Sequence, residues 1–260
     1  MHLVPSQQGE RRSLRGHDGR AHAPAPSFPT EWSQWLDALP FYGHLEPGQQ
    51  ARLRARTATL VARVRWLGFG LAITDEIRVS IAAQAALLLL GLDLDDYPNV
   101  HTIAVHREPF ATTADAARPA RDSVGEVGAD GAVHLVWDAV RRGARDPHDG
   151  RNLVFHEFAH ALDLLDGRAD GCPPLPCGAP AHLHARWMRQ WNAALRNLRV
   201  DAANDRPTLL DTYGARNLAE LFAVATECFF ERGDELGHRH PQLYELLWEY
   251  YGQDPAAAAD

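Results

Sequence analysis

The chain has 260 residues, 45% of them hydrophobic, and a formal net charge of -8 at pH 7. This length is enough to bury one sizeable core or two small ones, and the acidic balance argues against nucleic acid as the main ligand. All 26 basic residues are Arg, which excludes a phosphate-binding P-loop lysine, a Schiff-base lysine and a lysine general base.

The first 27 residues are rich in Arg, His, Pro, Gly and Ser, with little hydrophobic periodicity, and we predict a disordered extension there. Residues 1–30 hold four Arg against Glu10 and Asp18, a net charge of +2 that leaves -10 on the remainder. This segment lacks the continuous apolar stretch of a signal peptide, and the longest apolar run, residues 81–92, is too short to span a bilayer. The three cysteines do not make a disulfide framework. The default expectation is therefore a soluble cytoplasmic protein.

Hydrophobic periodicity predicts the regular elements along the chain. Helices are expected at residues 46–65, 74–92, 152–163, 184–197, 217–231 and 241–251, the second of them buried. A strand is expected at residues 99–106, and two short strands flank a Gly-Ala-Asp-Gly turn within residues 125–137. We expect residues 133–137 to be a sheet edge, followed by a polar loop at residues 141–150. The sequence thus predicts an α+β fold, mainly helical, with a small mixed β-sheet.

One predicted helix carries the most informative motif in the chain. Residues 152–163 contain His156-Glu157-Phe158-Ala159-His160, an H-E-x-x-H pattern. On a helix the two histidines lie one turn apart on one face, where two imidazoles can share a Zn²⁺ ion. Glu157 then lies beside the metal, in the position of a general base for water-driven peptide hydrolysis. With 14 histidines in the chain a chance match is not negligible, and an ordinary helix is the competing interpretation.

A catalytic zinc site needs three protein ligands and an open position for water, and the sequence offers three sources for the third ligand. Asp166 has the spacing of an extended H-E-x-x-H motif, but Asp163 stands where that motif requires a turning glycine. Asp211 is a second source, although Asp before Thr-Tyr-Gly is more typical of a turn. The third source is a Glu on a separate helix, which would give a His2Glu site.

Residues 217–231 supply such a helix. Glu220 and Glu227 are seven residues apart, so they share one face of a helix that is otherwise strongly apolar. Asn217 and Glu220 also match a capping box, which would explain Glu220 without a metal. Two carboxylates on so apolar a helix need partners, however. A metal for Glu220 and a ligand-histidine N–H for Glu227 would satisfy both.

The motif stretch H-E-F-A-H-A-L-D, together with residues 213–230, resembles the Mlc titration factor A family of zinc metallopeptidases. The family pattern has a Tyr seven residues before the ligand Glu, followed by an aromatic-rich A-V-x-S/T-E-x-F-F run. Tyr213 and Glu220 match this spacing. The resemblance covers roughly residues 35–250 and is loose in the N-terminal half. A similar arrangement in the catalytic domain of anthrax lethal factor implies a gluzincin-like fold.

The resemblance implies a role for each matching residue. His156, His160 and Glu220 would bind one Zn²⁺ per chain, Glu157 would be the general base, and Tyr213 would steady or protonate the tetrahedral intermediate. It also implies a zincin-like metallopeptidase domain at residues 28–254, with an N-terminal helical part at about 28–95 and a catalytic part at about 96–254. Family members are described as aminopeptidases and as binding partners of a DNA-binding, sugar-responsive repressor. The long N-terminal tail and a Cys-containing loop depart from the family pattern, which puts the repressor partner in doubt.

Two functions are therefore expected from different classes. The leading hypothesis is a zinc-dependent, aminopeptidase-like enzyme acting on a peptide substrate. The competing hypothesis is a zincin scaffold that sequesters a transcriptional repressor, whose basic DNA-binding domain the acidic body of this chain would complement. A helical domain without a metal is the remaining alternative. Neither main hypothesis involves direct contact with nucleic acid or a membrane.

Other polar clusters are weaker signals. Cys172 and Cys177, followed by His182 and His184, suggest a structural zinc, but their spacing is loose and a flexible loop is the simpler interpretation. Residues 237–240 are expected to be a loop, and Cys228 a small core residue. Asp163 is expected either at the surface of the helix end or as the acceptor of a histidine N–H.

Overall fold

The computed structural model describes residues 26–94, 96–110, 125–128, 130–175 and 181–257. Most of the predicted extension, residues 1–25, lies outside these ranges, as does Cys177. The helices are α1 (Ser33–Asp37), α2 (Pro47–Arg63), α3 (Asp75–Leu89), α4 (Trp137–Arg145), α5 (Leu153–Asp163), α6 (Ala181–Ala203), α7 (Leu218–Glu231), α8 (Gly233–Arg239) and α9 (Pro241–Tyr251). The strands are β1 (Arg65–Phe69), β2 (Thr102–His106), β3 (Gly125–Val127) and β4 (Ala132–Val136).

The sheet is small and mixed, with the strand order β1-β2-β4-β3. Strands β1, β2 and β4 are parallel, and β3 is antiparallel to β4. Because β4 lies between β2 and β3, the prediction that residues 133–137 form the edge is wrong. The turn at Gly131, which has a positive φ of 77°, folds β3 back along β4, so that β3 is the edge strand on this side of the sheet and β1 is the edge strand on the other. The predicted α+β class, mainly helical with a small mixed sheet, is confirmed.

Helix α3 is the centre of the N-terminal half. The Thr74 side chain accepts a hydrogen bond from the Ile77 N–H and so caps its first turn. From Ile81 to Leu89 every side chain of α3 is buried, as expected for a helix that is apolar all round. Helix α2 packs along it and begins with a capping box between Glu46 and Gln49.

Three short segments have a different secondary structure from the one predicted. The predicted helix at residues 46–65 ends at Arg63, and the chain continues as β1, which pairs with β2. Residues 141–145 belong to α4 rather than to a polar loop, because burial of Val140 gives this Arg-rich segment an apolar face. Residues 237–239 belong to α8, which buries Leu236, so the predicted loop there is wrong. Segments this short contain too few residues for hydrophobic periodicity to reveal their secondary structure.

An aromatic cluster joins the C-terminal helices. The rings of Trp187 and Trp191, which the sequence places one turn apart on α6, have centroids 5.3 Å apart. Both rings lie against Phe222 of α7, and Trp187 also contacts Tyr250 of α9. These side chains anchor α7, the helix that carries Glu220, within the core. None of the helices in the described ranges has the length and apolarity of a membrane span.

Candidate metal centre

Helix α5 holds His156 and His160 one turn apart, with ring centroids 4.9 Å apart. The helix starts where the sequence predicts, because the Asn152 side chain accepts hydrogen bonds from the N–H groups of Val154 and Phe155, each at 3.1 Å. The opposite face of α5 is buried in the core. The histidine pair therefore faces away from the core, toward α7.

Helix α7 brings Glu220 to the same point. Its first turn is capped by Asn217, whose side chain accepts a hydrogen bond from the Glu220 N–H at 2.9 Å. The Glu220 Oε2 atom lies 3.2 Å from His156 Nε2 and 3.4 Å from His160 Nε2. One ligand atom from each of these three residues lies within 4.8 Å of the others. Two imidazoles and one carboxylate at this spacing could hold a metal ion.

The charges of the surrounding side chains favour a positive charge at the centre of the site. Burial opposes ionisation of Glu220, but hydrogen bonds from the two histidines hold its pKa well below the ordinary value. Burial likewise opposes protonation of His156, yet Glu227 and Glu220 together raise its pKa. A bound cation would replace the proton that the raised pKa of His156 favours.

Glu227 orients His156 from behind. Its Oε1 atom lies 2.7 Å from His156 Nδ1, and its Oε2 atom accepts a hydrogen bond from the Asn152 N–H at 2.6 Å. The imidazole is thereby held with Nε2 toward Glu220. This contact is the one expected from the seven-residue spacing of the two glutamates on α7.

Glu157 lies beside the histidines and is 4% exposed. Burial raises its pKa to about 7, in opposition to the two histidines, which lower it. The backbone of Gly125 on β3 runs against its carboxylate: a Cβ added at Gly125 would lie 2.1 Å from Glu157 Oε1. A cavity of about 490 Å³ opens here, lined by both residues together with His156, Tyr213 and Glu227.

Tyr213 lies in a short 3-10 helix, Thr212–Ala215, immediately before α7. Its ring centroid is 6.0 Å from that of His156, so it forms one side of the site. Its hydroxyl accepts a hydrogen bond from Arg216 Nη1 at 2.9 Å, and the guanidinium lies 4.9 Å from the ring centroid. The sequence alone does not identify Arg216, because nothing in its local pattern distinguishes it from the other 25 arginines.

The other proposed third ligands lie in different surroundings. Asp211 accepts a hydrogen bond from the Tyr213 N–H and pairs with Arg151 at 2.7 Å, so it acts as the turn residue that its sequence context indicates. Asp166 is exposed beyond α5 and accepts a hydrogen bond from the Arg168 N–H. Neither belongs to the group of ligand atoms formed by His156, His160 and Glu220.

Asp163 is buried, and the prediction of a surface position is wrong. Its Oδ2 accepts a hydrogen bond from the Gly171 N–H at 2.8 Å, because the chain after α5 folds back over the helix end. Burial raises its pKa to about 6. Its Oδ1 has no hydrogen-bond partner among the described residues, so the alternative expectation, a histidine N–H as its donor, is not what the geometry gives.

The segment from Cys172 to His184, which was weighed as a structural zinc site against a flexible loop, lies partly outside the described residues. Cys177 is not described, and Cys172 Sγ lies 3.5 Å from His184 Nδ1. His182 is exposed. Cys228 is buried on α7, as the sequence predicts.

Comparisons with known proteins show the family to which the chain belongs. The model of the family described as glucose-regulated metallo-peptidase M90 matches residues 13–252. An uncharacterized Synechocystis sp. protein, slr2042, is 36% identical over 238 residues, which cover 88% of this chain and 86% of its own. Mlc titration factor A of Serratia proteamaculans is 30% identical over 241 residues (86% of this chain, 88% of its own), and that of Klebsiella pneumoniae is 30% identical over 241 residues (86% of each). The chain therefore belongs to the glucose-regulated M90 metallopeptidase family, together with the Mlc titration factors A.

Proposed function

We propose that the protein is a zinc-dependent, aminopeptidase-like peptidase. The observation that carries this proposal is the meeting of His156, His160 and Glu220 beside the buried Glu157. His156 and Glu157 line the 490 Å³ cavity. We also propose that residues 28–254 form one zincin-like domain of the gluzincin type around this site.

The donor set fits zinc. Two imidazole nitrogens and one carboxylate oxygen leave a tetrahedral ion one open position, which is the arrangement of catalytic rather than structural zinc sites. Glu227 supports the fit, since ligand histidines generally donate their second N–H to a carboxylate. When bound, the ion supplies Lewis acidity, which polarises a peptide carbonyl and lowers the pKa of water.

Glu157 is assigned as the general base. It accepts a proton from the attacking water and passes it to the leaving amine. Burial raises its pKa to about 7, which suits that exchange near neutral pH, and a bound cation would shift its pKa downward. Tyr213 is assigned to the stabilisation of the developing oxyanion, because its hydroxyl is held by Arg216 on the wall of the same cavity.

The edge strand β3 supports an extended peptide as the substrate. Its outer edge is free of strand partners in the described sheet, and Gly125 places that edge against Glu157. A peptide that pairs with β3 would pass the general base. Asp149 and Asp211 line the same cavity together with Arg142 and Arg151, and Asp211 pairs with Arg151. We assign the ammonium group of a peptide N-terminus to Asp149, because carboxylates attract such a group.

Two variants test the proposal. We expect Glu157→Gln to retain one zinc per chain and to lose peptide hydrolysis by about 10²-fold or more. Glu220→Ala should weaken zinc binding in elemental analysis after dialysis, and the exposed Glu76→Gln is the matched control for loss of one carboxylate. Full hydrolysis by zinc-loaded Glu157→Gln would overturn the mechanism, and unaltered zinc binding by Glu220→Ala would overturn the ligand set.

A second candidate function is the binding of a transcriptional repressor. Two observations favour it: curated relatives carry the name Mlc titration factor A, and the chain beyond its N-terminal segment has an excess of acidic residues. Calorimetry with purified Mlc and the Glu157→Gln variant separates this function from catalysis. Binding without hydrolysis would support a regulatory role, and absence of binding would remove this candidate.

A further inference from the structure

The cavity beside Glu157 contains a charged side chain to which the proposed mechanism gives no role, that of Arg142. This residue is exposed on α4 and lines the cavity of about 490 Å³ together with Ala139 and Gly143, which share its face of the helix. Among the described residues its guanidinium has no hydrogen-bond or ion-pair partner. The donors of this guanidinium can therefore be used by a group of the substrate.

The packing of α4 brings Arg142 to this cavity. Gly143 is buried where α4 meets the segment that leads into α5. A Cβ added there would lie 3.0 Å from both the Arg151 carbonyl oxygen and the Asn152 Cα atom, so a larger residue would push the two segments apart. Arg142 directly precedes this glycine, and the close approach places it on the same cavity wall as Glu157.

The carboxylates of the same cavity leave Arg142 available. Asp211 pairs with Arg151 at 2.7 Å, and Glu227 is held by a histidine of α5. The proposed mechanism uses Asp149 for the ammonium group of the substrate. Because arginine keeps its charge at physiological pH, the cavity holds one cationic group for which the proposed mechanism supplies no counter-ion.

We propose that Arg142 is a specificity residue that binds a carboxylate of the peptide substrate. The proposal rests on the proposed peptidase function, since it concerns the substrate of the same site. A guanidinium presents its N–H donors as a planar fork, which matches the two oxygens of a carboxylate. The site therefore binds a peptide with a carboxylate inside the cavity more tightly than the same peptide with an amide in that place.

This preference requires a local contact, because the overall charge of the chain acts in the opposite direction. The formal net charge is -8, so the long-range field of the protein repels an anionic peptide. A metal ion bound beside Glu157 would also attract a carboxylate, which is the competing explanation for any such preference. The two explanations differ in what they predict for the replacement of Arg142.

The test measures peptide binding by calorimetry to zinc-loaded Glu157→Gln, in which we expect little hydrolysis. Two pairs of peptides separate the possible sources of the carboxylate. Ala-Glu-Ala-amide against Ala-Gln-Ala-amide tests an acidic side chain, and Ala-Ala-Ala against its C-terminal amide tests an α-carboxylate. We expect the acid of at least one pair to bind about tenfold more tightly than its amide, as a charge-assisted hydrogen bond allows.

Two further substitutions in this background assign the preference. Arg142→Gln should abolish the difference between acid and amide, because the replacement keeps a polar side chain but removes the charge. Arg145→Gln is the matched control, since Arg145 is exposed on the same helix and does not line the cavity. The preference should persist in this control.

Each contrary outcome overturns the proposal: equal affinities for acid and amide in both pairs, absence of peptide binding, a preference that survives Arg142→Gln, or a preference that Arg145→Gln also removes. Hydrolysis by the wild type is measured separately, so the two proposals can fail independently. Hydrolysis without a carboxylate preference would leave the peptidase function in place and remove the role of Arg142. An Arg142-dependent preference in binding without hydrolysis by the wild type would do the reverse.

Discussion

Glu227 and His156 form the contact that couples the two helices of the candidate metal centre: Oε1 of the first lies 2.7 Å from Nδ1 of the second. The same carboxylate accepts the Asn152 N–H at the start of α5. One side chain thus fixes both the orientation of the His156 imidazole and the N-terminus of the helix that carries it.

Glu227→Gln removes the negative charge while it keeps the size of the side chain. We expect zinc affinity to fall about 10- to 100-fold, because the imidazole loses the carboxylate that fixes its orientation and raises its basicity. The zinc affinity of each variant is measured by competition with a chromogenic chelator. Glu76→Gln is the control, and an unchanged zinc affinity in Glu227→Gln would show that the contact has no influence on the metal.

Gly125→Ala tests the approach of β3 to Glu157, the proposed general base. A methyl group there would lie 2.1 Å from Glu157 Oε1, so the carboxylate must move. We expect kcat for peptide hydrolysis to fall about 100-fold, since a displacement of about 1 Å at a catalytic group has that scale of effect. Zinc stoichiometry should not change. Gly48→Ala, with no atom within 4 Å of the added Cβ, is the matched control, and equal kcat values for the two variants would contradict the prediction.

Asn152→Ala tests the cap of α5. The variant loses two hydrogen bonds to the first turn and leaves the buried Gln84 Oε1 without its 2.9 Å donor. We expect the free energy of unfolding to fall by about 2–3 kcal/mol in urea denaturation. Asn152→Ser, which keeps a capping oxygen, should lose less. Equal losses in the two variants would argue that the cap contributes nothing.

Glu231 makes stability depend on pH. Its folded-state pKa of about 8 lies above the ordinary value of 4.5, so the folded chain retains a proton that the unfolded chain releases. Stability from this group is therefore present at low pH and declines as pH rises from about 4.5 to 8. We expect Glu231→Gln to remove this decline and to be more stable than wild type at pH 8, by about 1–3 kcal/mol.

Urea denaturation of both proteins between pH 5 and 8.5 measures this difference. The wild-type and Glu231→Gln curves should converge toward pH 5 and separate toward pH 8. Parallel curves would show that the carboxyl is solvated in the folded state and ionises normally. Glu76→Gln controls for the loss of one acidic group from the chain.

Much of the candidate site could be predicted because its pieces are local. The four-residue spacing of His156 and His160, the seven-residue spacing of Glu220 and Glu227, and the caps at Asn152 and Asn217 all depend on helix geometry alone. The long helices and β2 were predicted for the same reason: periodicity over many residues outweighs the ambiguity of any one. Family resemblance added Tyr213, which local geometry could not assign.

The sequence by itself determined these helical pieces and the residues they present. Tertiary structure decided which pieces meet: Glu220 rather than Asp166 or Asp211 reaches the histidines, Gly125 approaches Glu157, and Asp163 is buried beneath the chain at Gly171. Tertiary structure also decided that residues 65–69 form a strand, that β3 lies at an edge of the sheet, and that a cavity forms at Glu231. These outcomes depend on contacts between residues far apart in the chain, which leave no periodic signal, because each partner alone is compatible with many neighbours.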